Sequence, residues 1–176
     1  MAHLVLTVAG SDRAGLVQAL ADVIAAHGGN WERSELAELA GTFAGVVLVS
    51  VPDARSTQLT SALGDLTDLM TVTPYPGQDV APATDATGKR VTFTVLGNDR
   101  PGIVRDITHV LLGRGLTIDR FTSRTGGAPM AGGELFEASV TAHAASGADI
   151  SAAVAELEQL AAEIQVDLSW PDDSKG

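Results

Sequence analysis

The chain has 176 residues and a formal net charge of −11, and hydrophobic residues make up 45% of it. This length suits one ordinary domain or two small ones, and the acidic balance argues against direct binding to nucleic acid. The lack of cysteine excludes disulfides, thiol nucleophiles and cysteine-based metal sites. No apolar run is long enough to span a bilayer, so we expect a cytoplasmic protein with no membrane partner.

The first half of the chain predicts six elements in the order β-α-β-β-α-β. Apolar, β-branched runs predict the strands, and apolar residues three or four positions apart predict the helices. Gly28 and Gly29 end the first helix, and Gly41 separates the second and third strands as a hairpin. The predicted elements are a strand at 3–9, a helix from 16 to 27, strands at 30–40 and 42–51, a helix at 56–66 and a strand at 70–73.

The second half repeats the first at a fixed offset of 87 residues. The segment from Leu4 to Val17 aligns with the segment from Val91 to Val104, and Gly10 corresponds to Gly97. The repeat predicts an α+β protein with two ferredoxin-like βαββαβ domains, each an antiparallel sheet with both helices on one face. Its predicted strands are near 90–96, 117–125, 134–143 and 164–170, and its predicted helices are near 102–113 and 149–162.

A segment from Pro74 to Gly88, rich in proline, glycine and small residues, separates the two copies. It has no hydrophobic periodicity, which is typical of an exposed linker. Such a linker permits pairing of the two units within one chain or across a homodimer. We place the first domain at 1–75, the linker at 76–89, the second domain at 90–171 and a polar tail at 172–176.

The turn between the first strand and the first helix is the candidate site in each unit. It reads Gly-Ser-Asp-Arg-Ala-Gly-Leu-Val from Gly10 and Gly-Asn-Asp-Arg-Pro-Gly-Ile-Val from Gly97. We expect Asp12 and Asp99 to cap the helices that follow. Free amides at a helix start attract a carboxylate, so the turn suits a small anionic group. A purely structural strand-to-helix turn is the alternative interpretation.

Two βαββαβ units with these turns resemble tandem ACT domains, which are regulatory modules that bind amino acids in metabolic enzymes and regulators. The resemblance covers nearly the whole chain outside the linker and the tail. More narrowly, Ser-Arg-Thr at 123–125, Glu-Leu-Phe at 134–136 and Thr-Ala-His at 141–143 resemble the glycine cleavage system transcriptional repressor family. That resemblance implies a regulator without its own DNA-binding domain, which senses glycine and acts on a DNA-binding transcriptional activator by protein contact.

The same resemblance implies where an amino acid would bind. In ligand-binding ACT pairs it lies between two modules, held by an Asn in the turn and another at the start of the second strand. The turn positions here are Asp12 and Asp99 and the strand positions are Asn30 and Thr117, so only Asn30 keeps that pattern. An ionised Asp can accept from an ammonium group but cannot donate to a carboxylate. We expect a better site from the Asp99 turn with Asn30, and a poorer site from the Asp12 turn with Thr117.

The other candidate ligand-binding residues lie in the same two turns. The carboxylate of an amino acid would depend on backbone amides there, and Arg13 or Arg100 could add a bidentate contact. An ion pair with a nearby Asp is the alternative for both arginines. The remaining candidates are Gly15, Leu16, Gly102 and Ile103.

The function predicted from these features is that of an amino-acid-sensing regulatory protein, with glycine or serine as the ligand. The four histidines lack metal-ligand spacing, and no nucleophile has a base partner. We therefore expect no catalytic residue, no metal and no cofactor. Two alternatives stay open: a ligand-free module that works only through protein contact, and the regulatory partner of a metabolic enzyme.

Overall fold

The computed structural model describes residues 1–77, 89–127, 134–145, 147–159 and 165–169, the last of these by backbone alone. Its contacts divide the chain into two compact units, Met1–Ala81 and Pro82–Gly176. Each unit is described by itself below. In the described residues, no helix is both long enough and apolar enough to cross a membrane.

The first unit has the predicted element order. β1 is the central strand and pairs antiparallel with both β3 and β4, and the sheet order is β2-β3-β1-β4. A short 3₁₀ helix at Asp65–Asp68 follows the second helix. The elements are β1 (Ala2–Ser11), α1 (Leu16–Ala26), β2 (Asn30–Leu39), β3 (Thr42–Val51), α2 (Asp53–Gly64) and β4 (Thr71–Pro76).

One face of this sheet forms the core with both helices. Alternate residues of β1 point to the same face of the sheet, and the buried ones form a single cluster with residues of α1 and α2. Since both helices contribute to that one cluster, they lie on the same face of the sheet. The cluster includes Leu4, Leu6, Val8, Leu20, Ile24, Val47, Val49, Leu59 and Leu63.

The second unit repeats this topology in the order β6-β7-β5-β8. Its core joins alternate residues of β5 and β7 to one face of each helix, with Phe93 and Ile107 completely buried. The elements are β5 (Arg90–Asn98), α3 (Ile103–Gly113), β6 (Leu116–Gly127), β7 (Glu134–Ala144), α4 (Ile150–Gln159) and β8 (Gln165–Ser169). The prediction of two antiparallel βαββαβ units with helices on one face is confirmed.

Two of the boundaries that differ from the sequence prediction are explained by a specific contact. Helix α2 begins at Asp53 rather than at 56, because Pro52 precedes it and its carbonyl accepts from the Arg55 amide at 2.8 Å. Strand β4 continues through Pro76, so the first residues assigned to the exposed linker are paired with β1. The predicted end of the last helix, most of the linker and the polar tail lie outside the described residues.

Candidate functional site

The turn that joins β1 to α1 is fixed at both ends by backbone hydrogen bonds. The amide of Asp12 donates to the carbonyl of Gly41 in the β2–β3 hairpin at 2.8 Å. At the other end, Gly15 precedes α1 with φ of 92°, and its carbonyl accepts the amide of Ala19 at 2.9 Å. A φ in this left-handed region strains any residue with a Cβ, so glycine is required for conformation. No atom lies within 4 Å of where a Cβ would be.

The β5–α3 turn of the second unit has the same backbone geometry. The amide of Asp99 donates to the carbonyl of Glu134 at 2.8 Å, and Gly102 has φ of 85°. Its carbonyl accepts the amide of Asp106 at 3.0 Å. The sequence repeat therefore reproduces the turn in backbone detail, including the left-handed glycine.

The prediction that Asp12 and Asp99 cap the helices is wrong. The residues at the N-cap positions are Gly15 and Gly102, and neither helix has a side-chain cap hydrogen bond. Each Asp lies three residues before its N-cap, held by its own amide against a hairpin, whereas a capping oxygen must reach the second or third helical amide. In α1 the amides of the first turn have no acceptor within the helix and are left for another partner, whereas in α3 the Ile103 amide donates to the Arg100 carbonyl at 3.3 Å.

An open cavity of about 380 Å³ lies beside the first turn. Such a volume is within the range of small-molecule sites. All four of the predicted ligand-binding residues of this turn line it. The lining residues are Asp12, Arg13, Gly15, Leu16, Val17, Gln18, Ala21 and Phe43.

Four of these lining residues were not predicted. Val17, Gln18 and Ala21 lie on the exposed side of α1, and Ala21 follows Val17 by one helical turn. The four-residue spacing of Val17 and Ala21 is visible in the sequence and could have predicted that they share one side of the helix. Phe43 comes from the start of β3, and only the β1–β3 register, which places it opposite Gly10, brings it to the turn.

The two turn arginines make different contacts. In the first unit, Arg13 donates from Nη2 to the backbone carbonyl of Asp68 at 2.6 Å. In the second, Arg100 Nη1 lies 2.7 Å from Asp106 Oδ2. The hydrogen bond from Arg100, with a second from Arg105, lowers the pKa of Asp106, so this carboxylate is ionised at neutral pH.

This difference bears on the electrostatics of the two helix starts. Asp106 lies in the first turn of α3, whereas α1 has no acidic residue in its first turn. The charge of Asp106 is compensated by Arg100 and Arg105, which both form ion pairs with it, so it does not by itself disfavour an anion at the start of α3. The predicted ranking of the Asp99 site above the Asp12 site stays a prediction.

The predicted strand residues lie far from the turn within their own unit. Asn30 pairs with Ser50, which pairs with His3 near the start of β1, while Asp12 follows the last residue of that strand. Ser11 lies eight positions after His3, which is about 27 Å of strand. Thr117 occupies the corresponding position in the second unit. Within one unit, the turn and the strand start are therefore too far apart to contact the same small ligand.

The motif residues at 123–125 and 134–136 lie on the neighbouring strands β6 and β7, where Thr125 is opposite Phe136 and Arg124 is opposite Glu137. Arg124 donates from Nε to Glu137 Oε2 at 2.8 Å, and Phe136 is buried in the core. A second cavity of about 170 Å³ lies at this ion pair, lined by Thr122, Ser123, Arg124, Glu137 and Ser139. Among the described residues there is no cluster of three or more potential metal ligands.

Comparison with known proteins places the first unit in a family. Residues 2–73 match the family model of the ACT domain, so the first unit is an ACT domain, and the second unit has the same topology. No curated protein matches the sequence.

Several solved structures are similar over nearly the whole chain, and two of them are compared with it by identity and TM-score. An unknown protein from Galdieria sulphuraria is 28% identical, with 97% of this chain and 98% of that chain covered and a TM-score of 0.77. A protein provisionally named a glycine cleavage system transcriptional repressor is 18% identical, with the same two coverages and a TM-score of 0.64. The second likeness shows a shared fold.

Proposed function

We propose that this chain, which carries an ACT domain at residues 2–73 and a second unit of the same fold, is an amino-acid-sensing regulatory protein. The observation that carries the proposal is the cavity at the start of α1. An amino acid needs an acceptor for its ammonium group and donors for its carboxylate. The lining offers the Asp12 carboxylate as the acceptor and the uncapped amides of the helix start as the donors.

We propose glycine or serine as the ligand. The resemblance carried by the Ser-Arg-Thr, Glu-Leu-Phe and Thr-Ala-His segments supports glycine, as does the name of one structural neighbour.

We propose that the response is passed on by protein contact with a DNA-binding transcriptional activator in the cytoplasm. The net charge of −11 would repel a phosphate backbone, which supports a protein partner rather than DNA itself. In this proposal the chain is a regulator without catalytic activity.

A thermal-shift series with the common amino acids, followed by calorimetry, tests the ligand. A ligand at a hundred times its dissociation constant stabilises a protein by about 2.7 kcal/mol. We expect glycine or serine to give a selective shift, and Asp12→Ala to weaken binding about tenfold because the ammonium loses a charged acceptor. Asp65→Ala is the matched control, since Asp65 is outside the cavity lining.

The outcomes separate this proposal from its alternatives. If no amino acid shifts the melting temperature, ligand sensing is refuted and the module that works only by protein contact is favoured. If Asp65→Ala weakens binding as much as Asp12→Ala, the effect is one of net charge and the cavity is not the site.

The pairing of turns with strand starts is part of this proposal. The Asp99 turn with Asn30 and the Asp12 turn with Thr117 are the two expected sites, within one chain or in a homodimer. A double variant of Asp99 and Asn30 that binds glycine with unchanged affinity and stoichiometry would overturn the first pairing.

A further inference from the structure

Each sheet has a second face, which points away from the helices and the core. In the first unit, Leu4 and Leu6 of β1 are buried in the core, so Val5 between them points to the opposite side. The same alternation along β3 buries Val47 and directs Val46 to that side. We name this side of the β2-β3-β1-β4 sheet the outer face.

Two neighbouring rows of residues cross the centre of the outer face. Strand register places the members of a row side by side, because opposed residues of antiparallel strands point to the same face. From β2 to β4, the Val5 row is Arg33, Leu48, Val5 and Tyr75, and the Val46 row is Glu35, Val46, Thr7 and Thr73. The middle of the outer face is therefore mostly apolar, and its β2 edge carries one positive and one negative charge.

A β-bulge directs the two charged residues to the outer face. Trp31 packs against the core, and without a bulge Arg33, two positions later, would point to the same side. The register of β2 on β3 shifts between these two residues, and the register of β6 on β7 shifts at the equivalent position, at Asp119. Arg33 Nη2 lies 3.5 Å from Glu35 Oε1, and both side chains are exposed, so both can also contact a second molecule.

The apolar residues of the outer face form a patch that is open to solvent. Val46 is 43% exposed and Tyr75 is 52% exposed, while Val5 and Leu48 between them are half-buried. Single exposed apolar side chains are normal on a protein surface, whereas a contiguous apolar patch with a polar border is typical of an interaction site.

The second unit carries hydroxyl groups at the matched positions. The corresponding residues are Val5 and Thr92, Leu48 and Thr141, and Val46 and Ser139. Thr92 Oγ1 and Thr141 Oγ1 lie 3.2 Å apart, so these hydroxyls contact each other on the sheet surface. Removal of such groups from water is costly, whereas burial of valine and leucine is favourable. The first unit therefore has the face that is suited to burial.

We propose that the outer face of the first unit binds the outer face of a second copy of the chain. Another copy offers apolar residues to the apolar patch, whereas the second unit offers hydroxyl groups at the matched positions. The two-fold axis crosses the strands between the Val5 row and the Val46 row, as in aligned packing of two sheets. Leu48 of one copy then lies on Val46 of the other, and Arg33 of one copy lies beside Glu35 of the other. This inference concerns self-association and goes beyond the proposed amino-acid sensing.

The size of the outer face suits a weak dimer. Four strands spaced about 4.8 Å apart make a sheet about 19 Å wide, and the length from His3 to Ser11 is about 27 Å. The product is roughly 500 Å² for one copy and roughly 1,000 Å² for both, which is the lower bound for a specific interface. We therefore expect a dimer whose population depends on protein concentration.

Sedimentation equilibrium of the full chain over a range of concentrations is the test. The hydroxyl variant combines Val5→Thr, Val46→Ser and Leu48→Thr, which copies the residues of the second unit. It should weaken the dimer about a hundredfold, because it removes three apolar side chains from the centre of the interface. The matched control, Val104→Gln with Leu112→Gln, removes exposed apolar side chains from α3 and should leave the dimer unchanged.

A charge exchange at the β2 edge tests the position of the two-fold axis. Arg33→Glu alone, or Glu35→Arg alone, should weaken the dimer about tenfold, because like charges then face each other between the copies. The double variant with both changes should restore the wild-type dissociation constant, since each copy again presents opposite charges to the other.

The outcomes that overturn the proposal are distinct. A chain that stays monomeric at every concentration overturns it and leaves the outer face to a partner of another kind. A dimer that is unchanged in the hydroxyl variant, or that is weakened as much in the control, also overturns it. Circular dichroism shows whether each variant folds. If the hydroxyl variant does not fold, the charge exchange decides, and a double variant without restored affinity refutes the proposal.

Discussion

Replacement of two glycines by alanine should have opposite effects on stability, although both positions have open space. Gly15 precedes α1 with φ of 92°, and Gly64 ends α2 with φ of −64°. No atom lies within 4 Å of a Cβ built on either residue. The two substitutions therefore differ in backbone conformation and not in crowding.

The expected magnitudes follow from that difference. An L-residue in the left-handed region costs about 1–2 kcal/mol, so Gly15→Ala should destabilise the first unit by about that amount. At Gly64 the helical conformation is compatible with alanine, and the reduced entropy of the unfolded chain should stabilise by about 0.4–1 kcal/mol. For a unit of this size, 1 kcal/mol corresponds to a shift of about 4–8 °C in melting temperature.

Urea denaturation of the full chain, followed by circular dichroism, gives the two free energies. The second unit offers a similar pair in Gly102, with φ of 85° and Arg105 Nη2 at 3.5 Å from its Cβ position, and Gly113, which lies at the end of α3 with no atom near its Cβ position. If Gly15→Ala is neutral or stabilising, the claim that the backbone conformation at this position requires glycine is refuted. Destabilisation by Gly64→Ala would refute the claim that its surroundings are open.

Two further predictions concern acid stability and the first hairpin. Because the hydrogen bond from Arg100 lowers the pKa of Asp106, its contribution to stability is present above about pH 4 and is lost as the pH falls through the lowered pKa. The stability gap between the wild type and Asp106→Asn in urea titrations should therefore shrink with acidification, and a constant gap would contradict the assignment. Ala40 has φ of 50° in the two-residue turn between β2 and β3, so Ala40→Asn should stabilise the chain by about 0.5–1 kcal/mol in the same assay. Ala37→Asn, in the strand before the turn, is its control and should not stabilise.

The strands and helices were predictable because their hydrophobic patterns are local. Residues 42–51 form the third strand with the predicted bounds, and the left-handed conformation at Gly28 ends α1 where the glycines indicated. The repeat offset also identified both turns. Where the prediction was wrong, at the start of α2 and the end of β4, the deciding contacts were a proline carbonyl and the pairing with β1.

Within the candidate site, Asp12 and Gly15 were predicted from the sequence, but the structure gives them other roles than the predicted ones. The sequence predicted that the Asp12 side chain caps α1. In the structure the Asp12 amide donates to the β2–β3 hairpin, and no side chain caps the helix. Phe43 enters the cavity lining from a strand 27 or more positions along the chain from the turn, so no local pattern could have identified it.

The sequence by itself determined the duplicated βαββαβ units, the acidic surface and the two glycine turns, because periodicity, composition and repeat spacing are properties of neighbouring residues. The tertiary structure alone decided which side chains meet across strands. The bulge at Asp119 and the β5–β7 register join Arg90 to His143, although these two residues are far apart in the chain. Strand register is set by the packing of a whole face, and a shift of one residue would send every one of these side chains to the opposite side of the sheet.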